Sequence, residues 1–213
     1  MSTRKKIGIF GGTFDPIHMG HLRMALELKQ RLKLDEMRLL PAHQPPHRDA
    51  PKVSSTQRAE MLRIALKDCP DLRLDERELQ RNKPSYTYDT LQELRKEFVD
   101  DVSLALCMGA DAFANLPKWY RWSELIELAH IVVIARPGWD IPVAGEARDF
   151  LDQHLNTSES LDSEPSGSVV FQSLSLLPIS ATGIRELIQT GESAQFLMPD
   201  AVWSYICTHS LYR

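Results

Sequence analysis

Gly11-Gly12-Thr13-Phe14-Asp15-Pro16-Ile17-His18-Met19-Gly20-His21 decides how the rest of the chain is read. The apolar run Ile7–Phe10 leads into it, and Leu22, Ala25, Leu26 and Leu32 follow at helical spacing. The Gly11-Gly12 pair and two histidines therefore sit on a strand-to-helix turn, which is a phosphate-handling location. Glycine lets the backbone approach an anion, the first N–H groups of a helix lack intrahelical partners, and the peptide dipoles present their positive end there. With the helix starting near His18, the imidazoles of His18 and His21 share one face of its opening turn.

Outward from this turn, strand and helix patterns alternate. Met37–Leu40 reads as a second strand closed by Pro41, followed by a proline-rich loop, Ala42–Pro51, that carries His43, His47 and Arg48. Ser54-Ser55-Thr56-Gln57 has capping-box form before Met61, Leu62, Ala65, Leu66 and Cys69, a helix stopped by Pro70. Leu72–Leu74 is a short strand, Arg77–Pro84 a charged loop, and Ser85-Tyr86-Thr87 opens a helix with Tyr88, Leu91, Leu94 and Phe98 on one face. Val102–Met108 is a near-continuous apolar run of the buried parallel type, and it ends in Gly109-Ala110-Asp111. An aromatic segment from Leu116 leads through a short helix to Leu128, and Ile131–Ala135 is another buried strand. A helix is expected over Ala144–Leu155, a mobile surface loop over Asn156–Gly167, and a strand at Val169–Phe171. The chain closes with a helix opened by Ile179–Arg185 and ended at Gly191, then a last helix from Pro199-Asp200 that turns Val202 and Ile206 inward. This alternation predicts an α/β fold, a Rossmann-like parallel sheet with helices on both faces and ligands at the carboxyl ends of the strands. One domain is expected over 1–213, with a less regular surface segment near 140–167.

Composition narrows the partners. The 213 residues suffice for one substantial core, and 25 Lys plus Arg against 29 Asp plus Glu leave a net charge of −4. That balance argues against general binding to nucleic acid or an anionic membrane and favours a small-molecule partner at a local basic pocket. The apolar run after the basic start is too short for a signal-peptide core and no later run could span a bilayer, so the protein is expected in the cytoplasm. Cys69, Cys107 and Cys207 are odd in number and widely spaced, which predicts buried free thiols. The histidines lack carboxylate or thiolate partners at familiar metal-ligand spacings, so no resident metal is expected.

The glycine turn is neither a P-loop nor a dinucleotide fingerprint: no Lys-Ser/Thr closes it and no G-x-G-x-x-G follows the strand. Taken alone, His18 and His21 could cap and pack a helix. Ser180 and Thr182 in Ile179-Ser180-Ala181-Thr182-Gly183-Ile184-Arg185 could likewise be an N-cap, with Arg185 a surface charge. The pairing of G-G-T-F-D-P and H-x-G-H early with I-S-x-T-x-x-R late, however, resembles the H-x-G-H nucleotidyltransferase superfamily. Pro45-Pro46-His47-Arg48, Pro84-Ser85-Tyr86-Thr87, Gly109-Ala110-Asp111, Trp119-Tyr120 and Arg136-Pro137-Gly138 extend the resemblance to bacterial nicotinate mononucleotide adenylyltransferases over nearly the whole chain.

The resemblance implies transfer of AMP from ATP to nicotinate mononucleotide, giving nicotinate adenine dinucleotide and pyrophosphate in NAD biosynthesis. It makes His18, His21 and Arg185 the catalytic residues. Gly11, Gly12, Thr13, Phe14, Gly109, Asp111, Ile179, Ser180 and Thr182 would bind ATP. His47, Arg48, Thr87, Trp119, Tyr120 and Arg136 would bind the acceptor: Trp119 stacked on the pyridine ring, Thr87 and Tyr120 offering backbone N–H groups to its carboxylate, and Arg48 meeting its phosphate. Trp119 as a core aromatic and Asp111 as a helix cap remain open readings. Mg²⁺ would arrive with ATP, since it binds through substrate phosphates more readily than in a protein cage. Rival readings are a related enzyme that adenylylates phosphopantetheine and a nucleotide-sensing protein without turnover.

Overall fold

The computed structural model describes residues 4–44, 53–81, 84–98, 101–135 and 144–213. His47, Arg48 and Arg136 lie outside the described residues. Six strands, β1 (Lys5–Gly12), β2 (Glu36–Pro41), β3 (Leu72–Leu74), β4 (Val102–Gly109), β5 (His130–Ala135) and β6 (Val169–Ser173), form one sheet in the order β3-β2-β1-β4-β5-β6. The sheet is parallel and surrounded by helices, which is the α/β Rossmann-like arrangement expected. The strand order reverses direction after β1, as in doubly wound folds.

The chain forms two compact units, each built from three separated stretches. The first contains Met1–Phe10, Leu28–Arg38 and Tyr86–Leu174. In it Ile9 pairs with Leu106, Cys107 with Val132, and Val133 with Phe171. β1, β4 and β5 are buried along almost their whole length, which is why they read as continuous apolar runs rather than alternating ones. Helices α3 (Thr87–Phe98), α4 (Ala110–Ala114), α5 (Leu125–Leu128), α6 (Glu146–His154) and α7 (Ser160–Ser163) belong to it, and α3 contacts α5. Arg95 on α3 donates to the carbonyls of Leu128 at 2.7 Å, Val102 at 2.7 Å and Pro165 at 2.5 Å, joining the end of α5, the start of β4 and the segment after α7 through one guanidinium.

That contact bears on the segment Asn156–Gly167, which differs from its expectation as a mobile loop. It folds one turn of helix, α7, whose Leu161 is completely buried and whose Asp162 meets Lys6 Nζ at 2.5 Å. The Leu104 N–H donates to the Pro165 carbonyl at 3.1 Å. His130, fully buried, lies 2.9 Å from the Glu164 carbonyl through Nε2 and accepts the Ser168 N–H through Nδ1 at 3.2 Å, so Nε2 carries the proton. Burial lowers the pKa of this imidazole and favours that neutral form.

The second unit contains Gly11–Glu27, Leu39–Ser85 and Ser175–Arg213. Its helices are the amino-terminal part of α1 (Met19–Arg31), then α2 (Ser55–Leu66), α8 (Ala181–Gln189) and α9 (Asp200–Thr208), with α2 packed on α9. The capping box is formed as read: Ser54 Oγ accepts the Gln57 N–H, and Gln57 Oε1 accepts the Ser54 N–H, each at 3.2 Å. Helix α2 stops at Leu66, with Lys67 as its C-cap still in helical conformation, so Cys69, the residue before Pro70, lies beyond it. Arg77–Gln80, expected as loop, is a 3₁₀ turn. Cys107 is buried, and burial pushes its thiol up to about 12; Cys69 and Cys207, also expected to be buried, are only half-buried. Among the described residues no helix is long and apolar enough to cross a membrane.

Candidate active site

The second unit holds the glycine turn. After Gly12, whose carbonyl accepts the Ala42 N–H at 2.9 Å, the backbone turns sharply: Phe14 adopts a left-handed φ of 48° and the Asp15–Pro16 peptide is cis. A non-glycine residue in that region is uncommon, and Phe14 is held there by complete packing of its ring. Helix α1 begins at Met19, and the His18 carbonyl accepts the N–H groups of His21 at 3.0 Å and Leu22 at 3.2 Å. His18 is thus the residue from which the helix springs.

The two imidazoles lie stacked, with ring centroids 3.7 Å apart and planes at 26°. Phe14 meets His21 edge-on at 5.1 Å. Gly20 explains why they can stack. A Cβ at that position would come within 2.9 Å of His18 Nδ1, 3.0 Å of His18 Cε1 and 3.4 Å of the Ile179 carbonyl. The glycine of H-x-G-H is therefore the space in which the His18 ring sits, a role that sequence reading did not assign to it.

His18 is 3% exposed, and its Nδ1 is buried without a hydrogen bond. Burial lowers its pKa to about 4, so the ring is neutral at pH 7 and can offer one N–H rather than a full charge. The depressed pKa has a stability consequence. Between about 4 and the ordinary value of 6.5 the unfolded chain binds a proton that the folded chain refuses, so stability is full above 6.5 and is lost as pH falls toward 4. The loss expected is up to about 3 kcal/mol. Urea unfolding of the native protein and of His18→Gln at pH 7 and pH 4.5 checks this: the native protein should lose more on acidification, and identical losses would refute the assignment.

Helix α8 carries the late motif. Ser180 is its N-cap, with Oγ accepting the Gly183 N–H at 3.1 Å, so the capping reading of Ser180 is realised. Arg185, half-buried, donates through Nη1 to the Asp15 carbonyl at 2.7 Å and through Nη2 to Thr182 Oγ1 at 3.2 Å. The start of α8 is thereby tied to the turn that carries the histidines. Ile179, Ser180 and Gly183 also border a cavity of about 390 Å³ that runs on to Leu187 and Leu197.

A second cation in this unit has no counterpart in the sequence reading. Arg58 on α2 is 1% exposed and donates to the carbonyls of Thr13 at 2.5 Å, Ala42 at 2.7 Å and His43 at 3.3 Å. One guanidinium joins the glycine turn to the loop after β2. His43 itself bonds Ser55 Oγ through Nδ1 at 3.0 Å.

The first unit carries the remaining residues. Gly109, the last residue of β4, is also the N-cap of α4, and a Cβ there would lie 3.5 Å from Asp111 Oδ1, so the two stand side by side. Asp111 is exposed in the first turn of α4, and its carboxylate does not cap that helix. Thr87 opens α3, and Tyr120 packs against the tyrosines on either side of it, 4.8 Å from Tyr86 and 6.1 Å from Tyr88. Trp119 is half-buried rather than a core aromatic, and Arg121 lies 4.0 Å over the Tyr88 ring. The structure so brings Thr87, Trp119 and Tyr120 to one aromatic corner.

Comparison with known proteins identifies the family. The cytidylyltransferase-like family matches residues 9–187. A protein of Cellvibrio japonicus named "Probable nicotinate-nucleotide adenylyltransferase" is 57% identical over 210 residues, covering 99% of this chain and 100% of its own. One of the same name from Hahella chejuensis is 50% identical, covering 100% of this chain and 98% of its own. Among solved structures, Plasmodium falciparum nicotinic acid mononucleotide adenylyltransferase complexed with NaAD superposes with a TM-score of 0.75 at 16% identity, covering 98% of this chain and 97% of that one, a likeness of fold. With a matching span that runs from β1 into α8 and relatives aligned from end to end, the chain belongs to the cytidylyltransferase-like family, among its nicotinate-nucleotide adenylyltransferases.

Proposed function

We propose that the chain transfers AMP from ATP to nicotinate mononucleotide, giving nicotinate adenine dinucleotide and pyrophosphate for NAD biosynthesis in the cytoplasm. The observation that carries the reading is the stacked His18–His21 pair at the opening of α1, with Arg185 tied to the same turn through Asp15. The names of the full-length relatives support the choice of acceptor.

The acceptor phosphate has its second pKa near ~6, so at neutral pH it is mostly dianionic and needs no base. One of its oxygens attacks the α-phosphorus of ATP, and the bond to the bridging oxygen breaks as pyrophosphate leaves. The protein's task is to align two anions that repel each other and to stabilise charge on the α-phosphoryl oxygens and the leaving group. His21 and His18 serve the α- and β-phosphates, while Ser180, Thr182 and Arg185 hold the triphosphate. Gly11, Gly12, Thr13 and Phe14 form the turn beside it, and Ile179 gives an apolar wall. Among the described residues nothing lies within 4 Å of a side chain built at Gly11, which leaves room there for ATP to approach the backbone. ATP enters as its Mg²⁺ complex, the metal riding on the phosphates.

Gly109 and Asp111 hold the ATP ribose. For the acceptor, the start of α3 is the informative feature: backbone N–H groups in the first turn of a 12-residue helix favour a carboxylate, whereas an amide would turn its own NH₂ toward them. Thr87 and Tyr120 supply those donors and Trp119 the stacking face, with His47, Arg48 and Arg136 completing the acceptor side.

The test is pyrophosphate release from Mg-ATP with nicotinate mononucleotide, nicotinamide mononucleotide and phosphopantetheine in parallel. Turnover with nicotinate mononucleotide should exceed that with either alternative by at least about tenfold, the worth of one unpaired donor in the acceptor pocket. Equal turnover with the two mononucleotides would remove Thr87 and Tyr120 from their assigned roles. Binding of ATP without pyrophosphate release from any acceptor would favour a sensing protein.

A further inference from the structure

Tyr212 stands far from every motif in the sequence, yet it is 5% exposed and its phenol donates to Asp15 Oδ1 at 2.7 Å. Asp15 is itself 8% exposed, and its backbone carbonyl accepts Arg185 Nη1 at 2.7 Å. Asp15 thus receives a hydrogen bond on each end: the phenol on its side chain and the guanidinium on its peptide. On the other side of the turn Arg58 holds the Thr13 carbonyl at 2.5 Å, within electrostatic reach of Asp15 and Tyr212. The turn between Thr13 and Asp15 is gripped from both flanks.

We infer that Tyr212 is a positioning residue for the transfer reaction: by fixing Asp15 it fixes the carbonyl that aims Arg185 at the triphosphate. This rests on the role proposed above for Arg185. Arg185 is a long side chain with many rotamers, and a charged donor stabilises a transition state only when its geometry is set beforehand. Arg185 is therefore steered through its partner's backbone. The partner is in turn held by a group whose burial beside Asp15 raises its pKa far above the usual phenol range, so that it stays a donor at any working pH.

Tyr212→Phe keeps the ring and removes only the hydroxyl. The variant is expected to lose about tenfold in kcat/KM for Mg-ATP, the usual cost of one hydrogen bond to a charged group, with KM for nicotinate mononucleotide unchanged. In an Arg185→Ala background the same substitution should change kcat/KM less than about twofold, because there is no guanidinium left to aim. A purely structural tyrosine would cost the same in both backgrounds. Equal losses in the two backgrounds, or no loss in the native one, would overturn the inference. Calorimetric Kd values for Mg-ATP over the same four proteins close the cycle without turnover, so it is decided even if Arg185→Ala is too slow to assay. If the native protein releases no pyrophosphate at all, the proposed reaction fails, while the binding cycle still reports whether Tyr212 acts through Arg185.

Discussion

Replacing His21 with alanine is expected to lower kcat by about 10²-fold or more, the range for losing one preorganised donor to developing charge. The dianionic acceptor needs no base, so nothing in the step depends on proton abstraction by the imidazole, and the loss is one of electrostatic stabilisation alone. A donor that bound ground state and transition state equally would raise KM when removed; one aligned on the α-phosphoryl oxygens lowers kcat. Stacking at 3.7 Å on a neutral, buried His18 and edge contact with Phe14 at 5.1 Å hold the His21 ring before substrate arrives. Single-turnover measurement of pyrophosphate release at saturating Mg-ATP isolates the chemical step. A variant within threefold of the native rate, roughly the spread of ordinary neutral substitutions, would take His21 out of the mechanism.

Gly20→Ala is expected to be nearly as severe although it adds one methyl group. Inside an ordinary helix this change stabilises by about 1 kcal/mol. Here the new Cβ would press on the His18 ring at 2.9 and 3.0 Å with the Ile179 carbonyl behind it at 3.4 Å, so the ring has to move. His18 is buried on all sides, and its displacement carries the stacked His21 with it. A shift near 1 Å at catalytic groups costs about 10²-fold, and kcat should fall by roughly 10- to 100-fold while far-UV circular dichroism stays native. Native turnover in Gly20→Ala would show that the position of the His18 ring does not matter for the reaction.

The sequence made some of this legible and concealed the rest for identifiable reasons. Apolar runs such as Val102–Met108 announce strands buried on both faces, and the Ser54–Gln57 box announces a helix start, because both signals are local. That His18 and His21 lie side by side was also legible, since three residues on a helix is a fixed geometric relation, whereas their stacking was not. Arg58 was not. It sits between Gln57 and Ala59 on α2 and its acceptors are main-chain carbonyls at Thr13, Ala42 and His43, which leave no mark in the side-chain sequence. Tyr212 was hidden by separation, bonding a residue nearly the whole chain away. The segment Asn156–Gly167 misled through composition: its Ser, Asp and Glu suggested mobility, whereas Leu161 and the carbonyls of Glu164 and Pro165 secure it.

The unit that carries the histidines is assembled from Gly11–Glu27, Leu39–Ser85 and Ser175–Arg213. This has a consequence for the newborn chain. A ribosome emits the H-x-G-H turn well before α8 and Tyr212, which follow only after Leu174, so the turn is made without Arg185 or its phenol clasp. The arrangement proposed for catalysis is therefore not acquired gradually as the polypeptide lengthens. On the roles proposed above it waits for Ser175–Arg213, and a fragment released before that stretch carries the H-x-G-H signature without the Arg185 that bonds its turn.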